Sequence, residues 1–100
     1  MLTSYSLSDV TANLDSVHNY YEHMVIGEIH KQIGDKTVGT DFVADVACVA
    51  LNHLPPRYIR YDVDMAFYLS PKESMEMEDK VIDAVRDALT FVEKRGNRTL

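Results

Sequence analysis

Tryptophan is absent from this chain of 100 residues, and cysteine occurs once. One thiol can neither close an internal disulfide nor furnish a thiolate zinc site. Cys48, between Ala47 and Val49, reads instead as a buried structural thiol. Glycine is scarce too: Gly27, Gly34, Gly39 and Gly96 never cluster, which excludes a glycine-rich phosphate loop. No stretch approaches the roughly 18 apolar residues of a membrane span. The start of the chain has neither the basic residues nor the apolar run of a signal peptide, so a cytoplasmic protein is expected. Bases are outnumbered by 16 acids to 10, for a formal net charge of −6. Surfaces for nucleic-acid polymers are usually basic, because phosphate neutralisation supplies much of the affinity. No polymer and no membrane are expected as partners. A small anionic ligand stays open, since it needs only a few basic groups in one place.

Catalytic signatures are missing as well. There is no HExxH. His23 and His30 are about 10 Å apart along a helix, too far to share one ion. Asp62–Val63–Asp64 resembles a fragment of a calcium loop without its glycine and distant glutamate. No metal and no cofactor are expected. No nucleophile–base pair can be named, so an enzyme is not expected either. Asp79, Asp83 and Asp87 form an i,i+4 ladder of like charge, which reads as a solvated helix face.

What is present is a foldable pattern, with 46% apolar residues. Residues 1–13, rich in Ser and Thr, read as a flexible arm. A helix is predicted from Leu14–Asp15, with Val17, Tyr21, Met24, Val25, Ile29 and Ile33 at spacings of three and four. Gly27 within it reads as a place where another backbone comes close. The segment Gly34–Thr40 ends it. A second helix, 41–53, carries apolar residues around nearly its whole circumference and reads as central and buried. Asp45 there is either on the one open side or a buried carboxylate with a partner. Pro55 and Pro56 end this helix and hold the next residues in a fixed direction.

Residues 57–69 alternate, with Ile59, Tyr61, Val63, Met65, Phe67 and Leu69 on one side, which favours a strand. A helical reading survives for 62–69, because Val63 and Phe67 are four apart. Ser70, Pro71 and Glu73 announce a third helix with an N-cap, a proline in its first position and a capping box. It runs to about Lys94 on a stripe of Ile82, Val85, Leu89 and Val92, widened by Val81 and Ala88. Glu76 before Lys80 is a favourable i,i+4 pair. Gly96 stops the helix, and 96–100 is a tail. The domain is thus 14–95: mainly α, three helices and one extended strand. A lone strand leaves its backbone groups unpaired, which points to pairing with a second copy across a two-fold axis, a homodimer.

The stretch ALNHLPPRYIRY, residues 50–61, concentrates the binding chemistry. Arg57 and Arg60 present planar forks suited to phosphate or to the O6/N7 edge of guanine. Tyr58 and Tyr61 offer flat faces to a base, worth about 1–3 kcal/mol each where bases stack. Asp45 can accept from guanine N1 and N2, and Asn52 adds an amide. Lys31 on the first helix is a further candidate. The plain alternative is a proline turn with packed tyrosines and surface arginines.

DVACVALNHLPPRYI, 45–59, resembles the core motif of the late competence development protein ComFB family: Asp, then Ala–Leu–Asn, Leu–Pro–Pro, a basic or polar residue and Tyr. VHNYYEHMVIGEI and VIDAVRDALTFV are similar to that family's first and last helices. The resemblance implies a small, mainly helical, dimeric bacterial protein that binds a cyclic dinucleotide, notably cyclic di-GMP, and regulates competence or type IV pilus behaviour. Matching positions are Asp45, Asn52, Leu54, Pro55, Pro56 and Tyr58, with Arg57 at the variable basic position. Arg60 and Tyr61 lie beyond the shared core. Some members carry a cysteine cluster before the Asp for zinc; here that stretch is GTDFVAD, so zinc is not expected. The rival expectation is a non-catalytic interaction module that binds no nucleotide and docks through the acidic helix face.

Overall fold

A computed structural model describes residues 13–95. Along them run β1 (His18–Asn19), α1 (Tyr21–Ile33), α2 (Thr40–Asn52), β2 (Tyr58–Ile59), α3 (Val63–Tyr68) and α4 (Pro71–Arg95). The fold is mainly helical. Apart from Asn13, the expected arm lies outside the described residues, as does the tail.

α1, α2 and α4 enclose one apolar core, with the most extensive contact between α2 and α4. α1 contributes Tyr21, Val25 and Ile29; α2 contributes Val46 and Ala50, with Leu54 just beyond it; α4 contributes Met77, Val81, Val85, Ala88 and Val92. These follow the three- and four-residue spacings of one helical face. The stripe of α4 is displaced from the expected one. Met77 joins the core, Leu89 is half-buried and Ile82 is exposed. The capping box at its start forms as expected. Glu73 N–H donates to Ser70 Oγ at 3.1 Å, and Ser70 N–H to the Glu73 carboxylate at 3.4 Å.

Four expectations are corrected. First, α1 begins at Tyr21, not at Leu14–Asp15. The preceding residues turn and then pair, because Asn19 Oδ1 accepts from the backbone N–H of Tyr21 at 3.2 Å and of Arg57 at 3.0 Å. Second, the long strand 57–69 shrinks to Tyr58–Ile59, antiparallel to His18–Asn19 with His18 opposite Ile59 and Asn19 opposite Tyr58. Backbone bonds Asp64 N–H to Tyr61 O and Met65 N–H to Asp62 O then wind the chain into α3, the surviving helical alternative. Because β2 has a partner in its own chain, the inference of a dimer from an unpaired strand falls.

Third, α2 is not buried all round. Val46 and Ala50 face inward, whereas Asp41, Ala44, Asp45, Cys48 and Asn52 are exposed. Cys48 lies two residues from each of the inward pair, about 200° around the helix at 3.6 residues per turn, so the thiol is exposed and Asp45 takes the open side. Fourth, a Cβ added at Gly27 would meet nothing within 4 Å, so among the described residues no backbone outside its own helix approaches it.

Candidate functional site

The end of α2 drives the chain into the core and out again. Leu54 is buried, and Pro55, Pro56 and Arg57 are exposed directly after it. The exit is fixed by neighbours remote in sequence. Asn19 holds the Arg57 N–H, and the Arg57 carbonyl accepts from the Tyr20 N–H at 2.7 Å. Stiff prolines on one side and these two bonds to residues remote in sequence on the other leave Arg57 little freedom.

This ridge divides three clefts. On one side a polar cleft of about 610 Å³ is lined by Asp15, His18, Glu22, Asn52, Pro56 and Tyr58, among others. On the other, a smaller one of about 200 Å³ holds Tyr21, Pro55, Pro56, Arg57, Glu76 and Lys80. Burial pushes the Tyr21 phenol pKa up, and Arg57 partly offsets this. A third, of about 620 Å³, lies between the end of α2 and α4, where His53, Pro55, Lys80, Asp83, Asp87 and Phe91 surround an apolar floor.

The expected site residues are therefore only partly gathered. Asn52, Pro56 and Tyr58 share the polar cleft; Pro55 and Arg57 face the clefts across the ridge. Tyr58 is 67% exposed, a face free for stacking. Arg60 lies over the Tyr61 ring, its guanidinium carbon 5.2 Å from the ring centre, and donates to Ser16 Oγ at 2.9 Å and Asn13 Oδ1 at 3.4 Å. The Arg60–Tyr61 pair is thus already assembled, with both side chains exposed. Neither residue lines any of the three clefts, but Arg60 reaches Ser16, between Asp15 and Val17 of the polar one. Asp45 is two helical turns before Asn52, about 10 Å along the axis, and lines none of the three clefts. Lys31, in the last turn of α1, lines none of them either. Lys80, not among the expected site residues, lines two clefts at once.

Two groups escaped the sequence. Asn19 is one; nothing distinguishes it from other polar residues until β1 meets β2. The other is His18, His23 and Asp62, whose ligand-type atoms all lie within 4.8 Å of one another. His18 Nε2 is 2.7 Å from Asp62 Oδ1, and His23 Nε2 is 3.9 Å from Asp62 Oδ2. Asp62 foremost, then the Ser16 carbonyl, raise the His18 pKa above its ordinary value. Asp62 stands 44 residues from His18 in sequence, so no local spacing could have joined them.

A diproline exit from a buried leucine, with Asn52 on one wall and Tyr58 beyond it, fits the family that the motif resembles. The model of that family, described as late competence development protein ComFB, matches residues 18–96. The chain belongs to this ComFB family. That membership relates it to competence development. No curated protein matches. The match takes in both strands and all four helices described here. The stretch before Asp45, where some members were expected to carry zinc-binding cysteines, offers Asp41 as its one metal-ligating side chain, so a cysteine zinc centre of that kind has no ligands here. No described helix is long and apolar enough to cross a membrane.

Proposed function

We propose that this ComFB chain is a non-catalytic cytoplasmic receptor for cyclic di-GMP that acts in the control of competence or of type IV pilus behaviour. The observation that carries the reading is the polar cleft beside the diproline ridge. Its volume of about 610 Å³ falls within the range of small-molecule sites, about 300–1,000 Å³. Its chemistry suits guanine: Tyr58 offers a stacking face, and the Asp15 and Glu22 carboxylates can accept from N1–H and the N2 amino group. Asn52 adds a donor and an acceptor. The phosphates go to the guanidinium groups at the margins, Arg60 on the cleft side and Arg57 across the ridge.

The two-fold ligand suits two copies of the chain. Support for a homodimer now comes from α3, where Val63, Phe67 and Tyr68 are exposed by 63%, 80% and 74%; exposed apolar residues clustered on one short helix favour a covered state. The same surface would serve the rival, an interaction module without a nucleotide, so the ligand decides between them.

Calorimetry with cyclic di-GMP, with light scattering of the same samples, is the test. Binding is expected. Tyr58→Ala should weaken it by about 1–3 kcal/mol, the stacking of one base. Arg57→Ala and Arg60→Ala should weaken it too, more at low ionic strength than at high, because salt screens the phosphate contacts they remove. No heat with the wild-type chain, or an affinity indifferent to all three substitutions, defeats the receptor reading.

A further inference from the structure

We infer that His18, His23 and Asp62 form a zinc site that ties the loop after β2 to the start of α1. The inference does not rest on the nucleotide reading, although His18 also lines the polar cleft; His23 and Asp62 do not. Three elements meet at this point: β1 supplies His18, the first turn of α1 supplies His23, and the turn before α3 supplies Asp62. Two imidazoles and one carboxylate are a donor set suited to zinc and its neighbours, whereas calcium and magnesium prefer oxygen ligands.

The distances are close to those a bound ion requires. Zinc bonds to nitrogen and oxygen are about 2.0–2.1 Å, so ligand atoms in a tetrahedral set lie about 3.3 Å apart. His18 Nε2 and Asp62 Oδ1 at 2.7 Å must part by about 0.6 Å on that geometry, and the three ligand atoms, which lie within 4.8 Å of one another, must draw together by at most about 1.5 Å. The His23 side chain is 76% exposed and Asp62 is 53% exposed, so both can turn without disturbing the core. A fourth position faces solvent and takes water.

A second feature points the same way. His18 Nδ1 is 2.9 Å from the Ser16 carbonyl. A carbonyl only accepts, so Nδ1 carries hydrogen and Nε2 is the atom directed at the centre. This carbonyl-held imidazole is the outer-shell arrangement that orients metal-binding histidines. Ser16 is itself held, since its Oγ accepts from Arg60 Nε and donates to the Asn13 carbonyl at 2.6 Å. In the metal-free chain a proton on Nε2 occupies the short approach to Asp62. The ion takes that place and the proton leaves to solvent.

The full chain, stripped of metal, would be titrated with zinc chloride by calorimetry and with cobalt(II) by visible absorption. One ion per chain is expected, with cobalt giving the d–d bands of a low-coordinate site. His18→Ala, His23→Ala and Asp62→Ala should each weaken zinc binding by about tenfold or more, whereas His30→Ala leaves it unchanged. His23→Ala removes an exposed side chain outside the core, so circular dichroism should show its helices intact. An absence of binding by the wild-type chain overturns the inference, and so does wild-type affinity in His23→Ala or in Asp62→Ala. Cyclic di-GMP affinity, measured in parallel on the zinc-free chain, fails or holds separately.

Discussion

Between α1, α2 and α4 burial is continuous, and Val25, Ile29, Val46, Ala50 and Val85 have no accessible surface. From Pro55 to Tyr68, by contrast, Met65 alone is buried. The first region is held by removal of apolar area from water, which is non-directional and summed over many contacts. The second is held by a few directed bonds: Asn19 to two backbone N–H groups, His18 to Asp62, Arg60 to Ser16. A region of the first kind tolerates changes at its surface and fails as a whole when its centre is emptied. A region of the second kind can lose its order while the rest of the molecule stands. That is the property the proposed receptor reading calls for in its binding surface.

The contrast is broken most severely from the core side. Ile29→Ala removes a fully buried branched side chain from the contact of α1 with its neighbours. It should cost about 2–5 kcal/mol in urea unfolding, with the same loss by every probe. Asn19→Ala should cost less, about 1–3 kcal/mol, because the N–H groups of Tyr21 and Arg57 lose their acceptor. Its signature should be local: amide exchange accelerates at those two groups, and cyclic di-GMP binding falls, while the helices remain. If Asn19→Ala instead lowered protection evenly through α2 and α4, the ridge and the core would be one unit and the contrast would be wrong.

The same division explains what could be read from the sequence. The helices were legible where apolar periodicity and caps agree. α2 was placed within one residue at each end, and the Ser70–Glu73 box marked the start of α4. Periodicity was misleading in two ways. Apolar residues around α2 suggested complete burial, but Ala44 and Cys48 are small enough to stand exposed at little cost. Alternation over 57–69 suggested a strand, yet the same residues satisfy a short helix, and only the turn at Asp62 decides between them. Motif resemblance located the diproline ridge and its Tyr58 and Arg57. It could not separate the clefts on either side, or show that Asp45 and Lys31 stand away from them. The clasp of His18, His23 and Asp62 was illegible, because it depends on β1 pairing with β2 and leaves no trace in local spacing.

Glycine substitution gives the smallest effect and the finest test. α1 contains Gly27 and ends at Gly34, and the two are opposites. Gly34 has φ +64° at the C-cap, where a side chain is disfavoured. Gly27 is helical, exposed and surrounded by open space. In a single chain, Gly27→Ala removes backbone freedom from the unfolded state and meets no obstacle, so it should raise stability by up to about 1 kcal/mol. The urea midpoint should rise with an unchanged slope. A midpoint that fell, with a loss of mass by light scattering, would mean that a second copy rests on position 27. The outer face of α1 would then belong to the dimer contact, and α3 would not carry it alone.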